Sequence, residues 1–144
     1  YIQSGNVVFR SDAAASEVAA SLRAGIAAVS AVDPAIAVRT RDELAAIVDG
    51  NPYVDQATDD KQLHVTFAVE GVRFEPALDA DLDAFEPEHA TVRERETYLF
   101  LPNGIGRSRL AAELASRGPL DGTTRNWRTT KRLLAMADEL AAGA

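Results

Sequence analysis

The run Leu63-His64-Val65-Thr66-Phe67-Ala68-Val69 constrains the fold more than any other stretch of the chain. Leu63, Val65, Phe67 and Val69 alternate with His64, Thr66 and Ala68, and a period of two places the larger apolar set on one face of a β-strand. One strand cannot bury that face alone, so the chain must supply further strands and a helical layer to cover it. Residues 91–102 read as two such strands, a hairpin turning near Glu94 to Glu96, with Tyr98, Leu99, Phe100 and Leu101 the most deeply buried part.

Helical periodicity supplies the cover. Asp12 stands where it can cap a helix over 13–29, in which Val18, Leu22, Ile26 and Val29 form one stripe. Thr40-Arg41-Asp42-Glu43 matches a capping box and opens a helix through Leu44, Ile47 and Val48, stopped by Gly50 and Pro52. An acidic helix is expected over 76–85, burying Leu78, Leu82 and Phe85, and another after Ser108, burying Leu110 and Leu114. The last, over 125–141, sets Trp127, Thr130, Leu133, Leu134, Ala137 and Leu140 on one side. Ahead of these, residues 1–9 flank Ser4-Gly5-Asn6 with two β-prone runs, which fit either a tight hairpin or one strand with a glycine bulge. Residues 35–39 read as a short strand. Strands and helices alternate irregularly, so the fold class is α+β, with helices on one face of a largely antiparallel sheet. The turn-rich stretch 51–61 is the expected connection between a first unit at 1–50 and a second at 62–144.

The 144 residues contain no cysteine, which excludes disulfides and thiolate metal sites and suits a cytoplasmic location. No apolar run approaches the roughly 18 residues of a bilayer span, so no membrane association is expected. A net charge of −7 disfavours duplex nucleic acid as a partner, because that interaction runs on phosphate neutralisation. One segment stands against this balance. Gly122 to Ala137 holds Arg125, Arg128, Lys131 and Arg132 and no acidic residue, which leaves −11 for the remainder.

Three stretches together carry a resemblance. Tyr-Ile-Gln-Ser-Gly-Asn-Val-Val-Phe at 1–9, Tyr-Leu-Phe-Leu-Pro-Asn-Gly-Ile-Gly-Arg-Ser-Arg-Leu at 98–110, and Thr-Thr-Arg-Asn-Trp-Arg-Thr-Thr-Lys-Arg-Leu-Leu at 123–134 resemble, in order and spacing, the bacterial DUF1697 family, a domain of unknown function. The resemblance implies a ferredoxin-like βαββαβ arrangement first, then a related small α/β unit, and it implies no activity. Members of that family begin with a Leu-Arg-Gly-Ile-Asn-Val-Gly-like strand and a helix ahead of the Tyr-Ile-Gln stretch. The present sequence opens without them, so the expectation is a longer native polypeptide, or a sheet completed by a partner such as a second copy.

Two corners qualify as anion sites. In the first, Pro102-Asn103-Gly104-Ile105-Gly106-Arg107-Ser108-Arg109 leads from a strand through a glycine-rich turn into a helix, where free backbone N–H groups attract anions. The third glycine of a dinucleotide fingerprint is replaced by Arg109, and there is no Gly-Lys-Ser/Thr loop. In the second, Gly122, Thr123 and Thr124 precede a helix whose start bears Arg125, Asn126 and Arg128. On a helix Arg125, Arg128 and Arg132 fall within about 60° of one another. Cations there oppose the macrodipole and call for an anion. Convergence of the two helix starts would place Arg107, Arg109, Arg125 and Arg128 around one phosphate-sized pocket.

Enzyme signatures are missing. Asp79, Asp81 and Asp83 mimic the start of an EF-hand loop, but Ala84 and Ala90 occupy positions that need Gly and Glu. His64 and His89 lack metal-ligand spacing, His64 reads as a residue of the polar strand face, and no nucleophile elbow is present. Arg93-Glu94-Arg95-Glu96 reads as an exposed strand whose alternating charges guard an edge. The functional expectation is a module binding a phosphate-bearing ligand, a nucleotide or single-stranded nucleic acid, with no cofactor and no metal. The alternative is a protein-interaction or self-association module.

Overall fold

The strand that dominates the sequence is also the centre of the sheet. The computed structural model describes residues 5–75, 82, 84–116 and 122–143. Strand β1 (Leu63–Ala68) pairs antiparallel with β3 (Glu96–Phe100) on one side and with β4 (Gly122–Asn126) on the other, while β2 (His89–Val92) pairs with β3. The order is β2-β3-β1-β4 and every pairing is antiparallel. With α1 (Ala15–Val29), α2 (Arg41–Asp49), α3 (Arg109–Ser116) and α4 (Trp127–Ala142), the fold is α+β.

Burial follows the alternation. Leu63, Val65 and Phe67 of β1 join Tyr98 and Phe100 of β3, Leu44 and Ile47 of α2, Tyr53 and Trp127 in one core. Leu99 of β3, and Leu101 just beyond its end, point to the other face and pack with Leu82, Leu110 and Leu114. The helices therefore flank both faces, α2 and α4 on one and α3 on the other, rather than one face alone. Period two explains this. Leu99 and Leu101 are as apolar as their neighbours, so both sides of β3 demand cover. His64 accordingly lies on a covered face, buried at 7% exposure, and not on a polar one.

The hairpin turns at 93–95 as its sequence requires, with the Arg93 N–H donating to the Glu96 carbonyl. The capping box forms, since Thr40 Oγ1 accepts from the Glu43 N–H while Glu43 takes the Thr40 N–H. The residue capping α1 is Ala14 rather than Asp12, and Glu17 accepts the Ala14 N–H there.

Residues 5–40 differ most from expectation, and the start of the expected 1–9 hairpin lies outside the described residues. Neither 6–10 nor 35–39 joins a β-ladder, and α1 buries no residue. Its stripe of Val18, Leu22 and Ile26 is half-covered and Val29 is 85% exposed. Polar ties hold this part: Asn6 receives the Arg125 Nε–H at 2.7 Å, Arg10 donates to the Leu140 carbonyl, the Glu70 N–H donates to the Ile36 carbonyl, Arg95 donates to the Val38 carbonyl, and Arg39 reaches into the hairpin. Within segment 51–61 Asn51 and Tyr53 are buried, and α2 packs on α4. The expected acidic helix and its Asp79, Asp81 and Asp83 lie outside the described residues, apart from Leu82 and the turn at 84–85.

Candidate functional site

The first anion corner is filled by the protein itself. Gly104 takes a positive φ of 80°, and residues 105–107 form a single 3-10 turn into α3. The N–H groups that open α3 already have acceptors: Ala111 donates to Ser108 Oγ at 2.8 Å, and Leu110 donates to Glu88 Oε2 at 2.9 Å. Glu88 is buried, so its carboxylate sits where an anionic ligand would. Gly106, Arg107 and Arg109 are exposed, with the Arg109 guanidinium over the Phe85 ring.

The second corner has a different local structure. Gly122 to Asn126 is a strand, not the start of a helix, because two β-branched threonines continue the ladder along β1. The helix begins at Trp127, and its cap is Asn126, whose Oδ1 accepts the Thr129 N–H at 2.8 Å. Arg125 is therefore not on a helix face with Arg128 and Arg132. It pairs across the ladder with Val65, shares that face with Thr123, and is half-buried. Its guanidinium donates to Asn6 Oδ1, Thr123 Oγ1 and the Thr124 carbonyl, and burial lowers its pKa. Thr124 faces the opposite way, sharing a hydroxyl contact of 2.8 Å with Thr66. Arg128 is exposed.

The two corners do not form one pocket. Arg125 stands on the face covered by α2 and α4, whereas Arg107 and Arg109 lead into α3 on the other face. Sequence spacing could not reveal this, because the side of a sheet to which a loop returns depends on tertiary packing.

A third group of arginines, which the sequence did not single out, does converge. Between α2 and the β2–β3 hairpin lies an open cleft of about 430 Å³, lined by Arg39, Glu43, Arg93, Arg95, Glu96 and Tyr98 over an apolar floor of Ala46 and Ile47. Each element contributes for a local reason. The capping box fixes Glu43 at the first turn of α2. The hairpin turn projects Arg93 and Glu96 from facing positions on the side of the sheet that carries Tyr98. Gly50 closes the end of α2, where a Cβ would stand 2.9 Å from the Ala46 carbonyl and 3.3 Å from the Tyr98 hydroxyl.

Within the cleft the charges divide into two sets. Arg39, with its side chain only 6% exposed, donates to the carbonyls of Val38 (2.7 Å), Ala68 (3.1 Å) and Arg95 (2.6 Å). It lies 3.8 Å from Glu70, and its buried Nε has no partner. Arg95 bridges Glu43 and Glu70, the latter at 3.0 Å. Burial lowers the Arg39 pKa, with the Arg95 charge adding to the effect and Glu43, Glu70 and Glu96 opposing it. Burial alone would raise the Glu43 carboxyl, but the Thr40 N–H and Arg95 hold it below the usual range. This set is internally answered. Arg93 and Glu96 form the other set. Arg93 lies 5.8 Å from the Tyr98 ring centroid, and neither residue makes an ion pair among the described residues. The Tyr98 hydroxyl, which donates to the Ile47 carbonyl at 3.1 Å, is pushed up to about 12 by burial first and by the Glu96 charge, against Arg93.

The signal for this site lay in two places. Arg39 ends an apolar extended run, and the alternating Arg93-Glu94-Arg95-Glu96 falls on the turn of a hairpin rather than along its edge. The described residues contain no group of three or more potential metal ligands. No helix among them is long and apolar enough to cross a membrane.

The DUF1697 family model, described as a protein of unknown function, matches residues 1–98. The chain belongs to the DUF1697 family. The match takes in the Tyr-Ile-Gln-Ser-Gly-Asn-Val-Val-Phe stretch and every residue lining the cleft, and it ends at Tyr98, where the second family-like stretch begins. No curated protein and no solved structure matches this DUF1697 chain.

Proposed function

We propose that this DUF1697 protein is a binding module for a small anionic ligand, a phosphate monoester or a carboxylate, held in the cleft between α2 and the β2–β3 hairpin. The observation that carries this reading is Arg93, exposed at the cleft and without an ion pair among the described residues, in a chain of net charge −7. A guanidinium presents donors in a planar fork that fits both anion types. Arg93 is the exposed member with no ion pair among the described residues, so it is the group that meets the ligand. Arg39 and Arg95, answered by Glu43 and Glu70, shape the wall beside it.

The expectation of a phosphate-bearing ligand is thus retained, but its place moves. At the helix starts Glu88 and Asn126 each accept a backbone N–H, from Leu110 and Thr129, and Arg125 is engaged by Asn6 and Thr123. The cleft is closed on one side by the sheet, which suits a compact ligand better than a continuous nucleic-acid strand.

Titration calorimetry with inorganic phosphate and with acetate tests the proposal. Saturable binding of one of them is expected, weakened about tenfold or more in Arg93→Ala, since a hydrogen bond to a charged group contributes about 1.5–3 kcal/mol. Arg93 is exposed and outside the structural ion network, so its removal leaves the fold intact. Absence of saturable binding, or equal binding by Arg93→Ala, overturns the proposal. If that result came with a mass rising with concentration in light scattering, the self-association reading would take its place.

A further inference from the structure

The charge pattern of the cleft specifies more than an anion. Its charged lining residues are Arg39, Glu43, Arg93, Arg95 and Glu96. Arg39, Glu43 and Arg95 are tied together through Glu70, so their charges cancel within the wall. One cation and one anion remain without an ion pair among the described residues, Arg93 and Glu96. They face each other across the hairpin turn, where the Arg93 N–H donates to the Glu96 carbonyl at 2.8 Å. Facing strand positions hold their Cβ atoms about 4.5–5.5 Å apart, yet these side chains do not pair with one another.

A ligand bearing only a negative charge would answer Arg93 and meet repulsion from Glu96. A ligand with both charges would answer both. Resting on the reading of the cleft as an anion site, we infer that it takes a small zwitterion, with the anionic group on Arg93 and an ammonium group on Glu96. The floor of Ala46 and Ile47 with the Tyr98 ring covers the carbon spacer between the two charges. The two ends need only the few ångströms of separation found in an amino acid or a phosphorylated amino alcohol. A cleft of about 430 Å³ accommodates a molecule of that size.

Two matched pairs of probes test the inference on the intact protein: O-phosphoethanolamine against methyl phosphate, and γ-aminobutyrate against butyrate. The zwitterion of at least one pair is expected to bind about tenfold more tightly than its single-charge counterpart, one charge-assisted contact being equivalent to that factor. Glu96→Gln is expected to erase this advantage while leaving the affinity of the simple anion unchanged or improved. Equal affinities within both pairs, or an advantage that survives in Glu96→Gln, overturn the zwitterion assignment and leave the anion site standing. If none of the four probes binds, both readings fall together.

Discussion

His64 occupies the middle of the fold with its Nδ1 buried and without a partner, on a face of β1 covered by neighbouring side chains. Burial lowers its pKa, because an imidazolium there would lose its hydration and gain no acceptor. The unfolded chain takes up its proton near the ordinary value of about 6.5, while the folded chain still resists. In that window the unfolded state binds more protons, so stability rises with pH and falls as pH drops from about 6.5 toward the depressed folded value. The urea midpoint is therefore expected to fall between pH 7.5 and 5.5, well before carboxylates such as Glu43 are protonated. His64→Gln should flatten the slope over this range. A wild-type midpoint constant across it would show that His64 does not carry the effect. The sequence gives His64 a place in a strand but not the cover over its face, because that cover comes from residues far along the chain. Arg39 is a similar case. Its three carbonyl partners, on Val38, Ala68 and Arg95, come from three separate parts of the sequence and cannot be inferred from spacing.

At the scale of single elements, local rules succeed where the deciding partner is near in sequence. The capping box at Thr40 and Glu43, the hairpin turn at 93–95 and the alternation of β1 all depend on residues within a few positions of one another. Helix α4 starts at Trp127 rather than Arg125, because helical periodicity in 127–141 extends backwards through Arg125 without penalty, whereas pairing of 122–126 with β1 is a tertiary event. Helix α3 shows a second such event. Its start resembles a ligand site in sequence, yet a buried glutamate from 21 positions before Arg109 has taken it. Replacement of Glu88 by Ala removes both the charge and the acceptor, leaving the Leu110 N–H buried and unsatisfied. A loss of about 1–3 kcal/mol in unfolding free energy is expected. Ser108→Ala, which removes the companion acceptor, is expected to cost about 0.5–2 kcal/mol. Denaturant titration of the two variants checks this. If Glu88→Ala were as stable as the parent, the N–H groups of α3 would be free after all, and the first anion corner would regain its claim.

Across the whole molecule, burial is distributed unevenly. From residue 41 onward, α2, the sheet and α4 share one apolar core, and ion pairs between Lys131 and Asp60 at 2.8 Å and between Arg41 and Asp138 at 2.7 Å lie along its flank. Before residue 41 the balance is different. Helix α1 has no fully buried residue, Val7, Val29 and Val32 are largely exposed, and among the described residues Arg23 pairs with the nearby Asp33. Opening of α1 would therefore newly wet the half-covered faces of Val18, Leu22 and Ile26 and no fully buried side chain. The cost of local opening follows the area newly wetted and the hydrogen bonds broken outside the helix, so α1 belongs to the least protected part of the fold. Its amides are expected to exchange with deuterium about a hundredfold or more faster than those of β1 and α4, under conditions where the core stays closed. The cleft bears on this directly. Arg39 sits at the junction, joined to the hairpin by the Arg95 carbonyl and to the core strand by that of Ala68. A ligand that seats against Arg93 orders the hairpin and, through it, the acceptors of Arg39. Slower exchange is then expected at residues 35–40 when a ligand binds, with α1 itself unchanged. Equal exchange rates in α1 and α4 without ligand would show instead that α1 is held as firmly as the core.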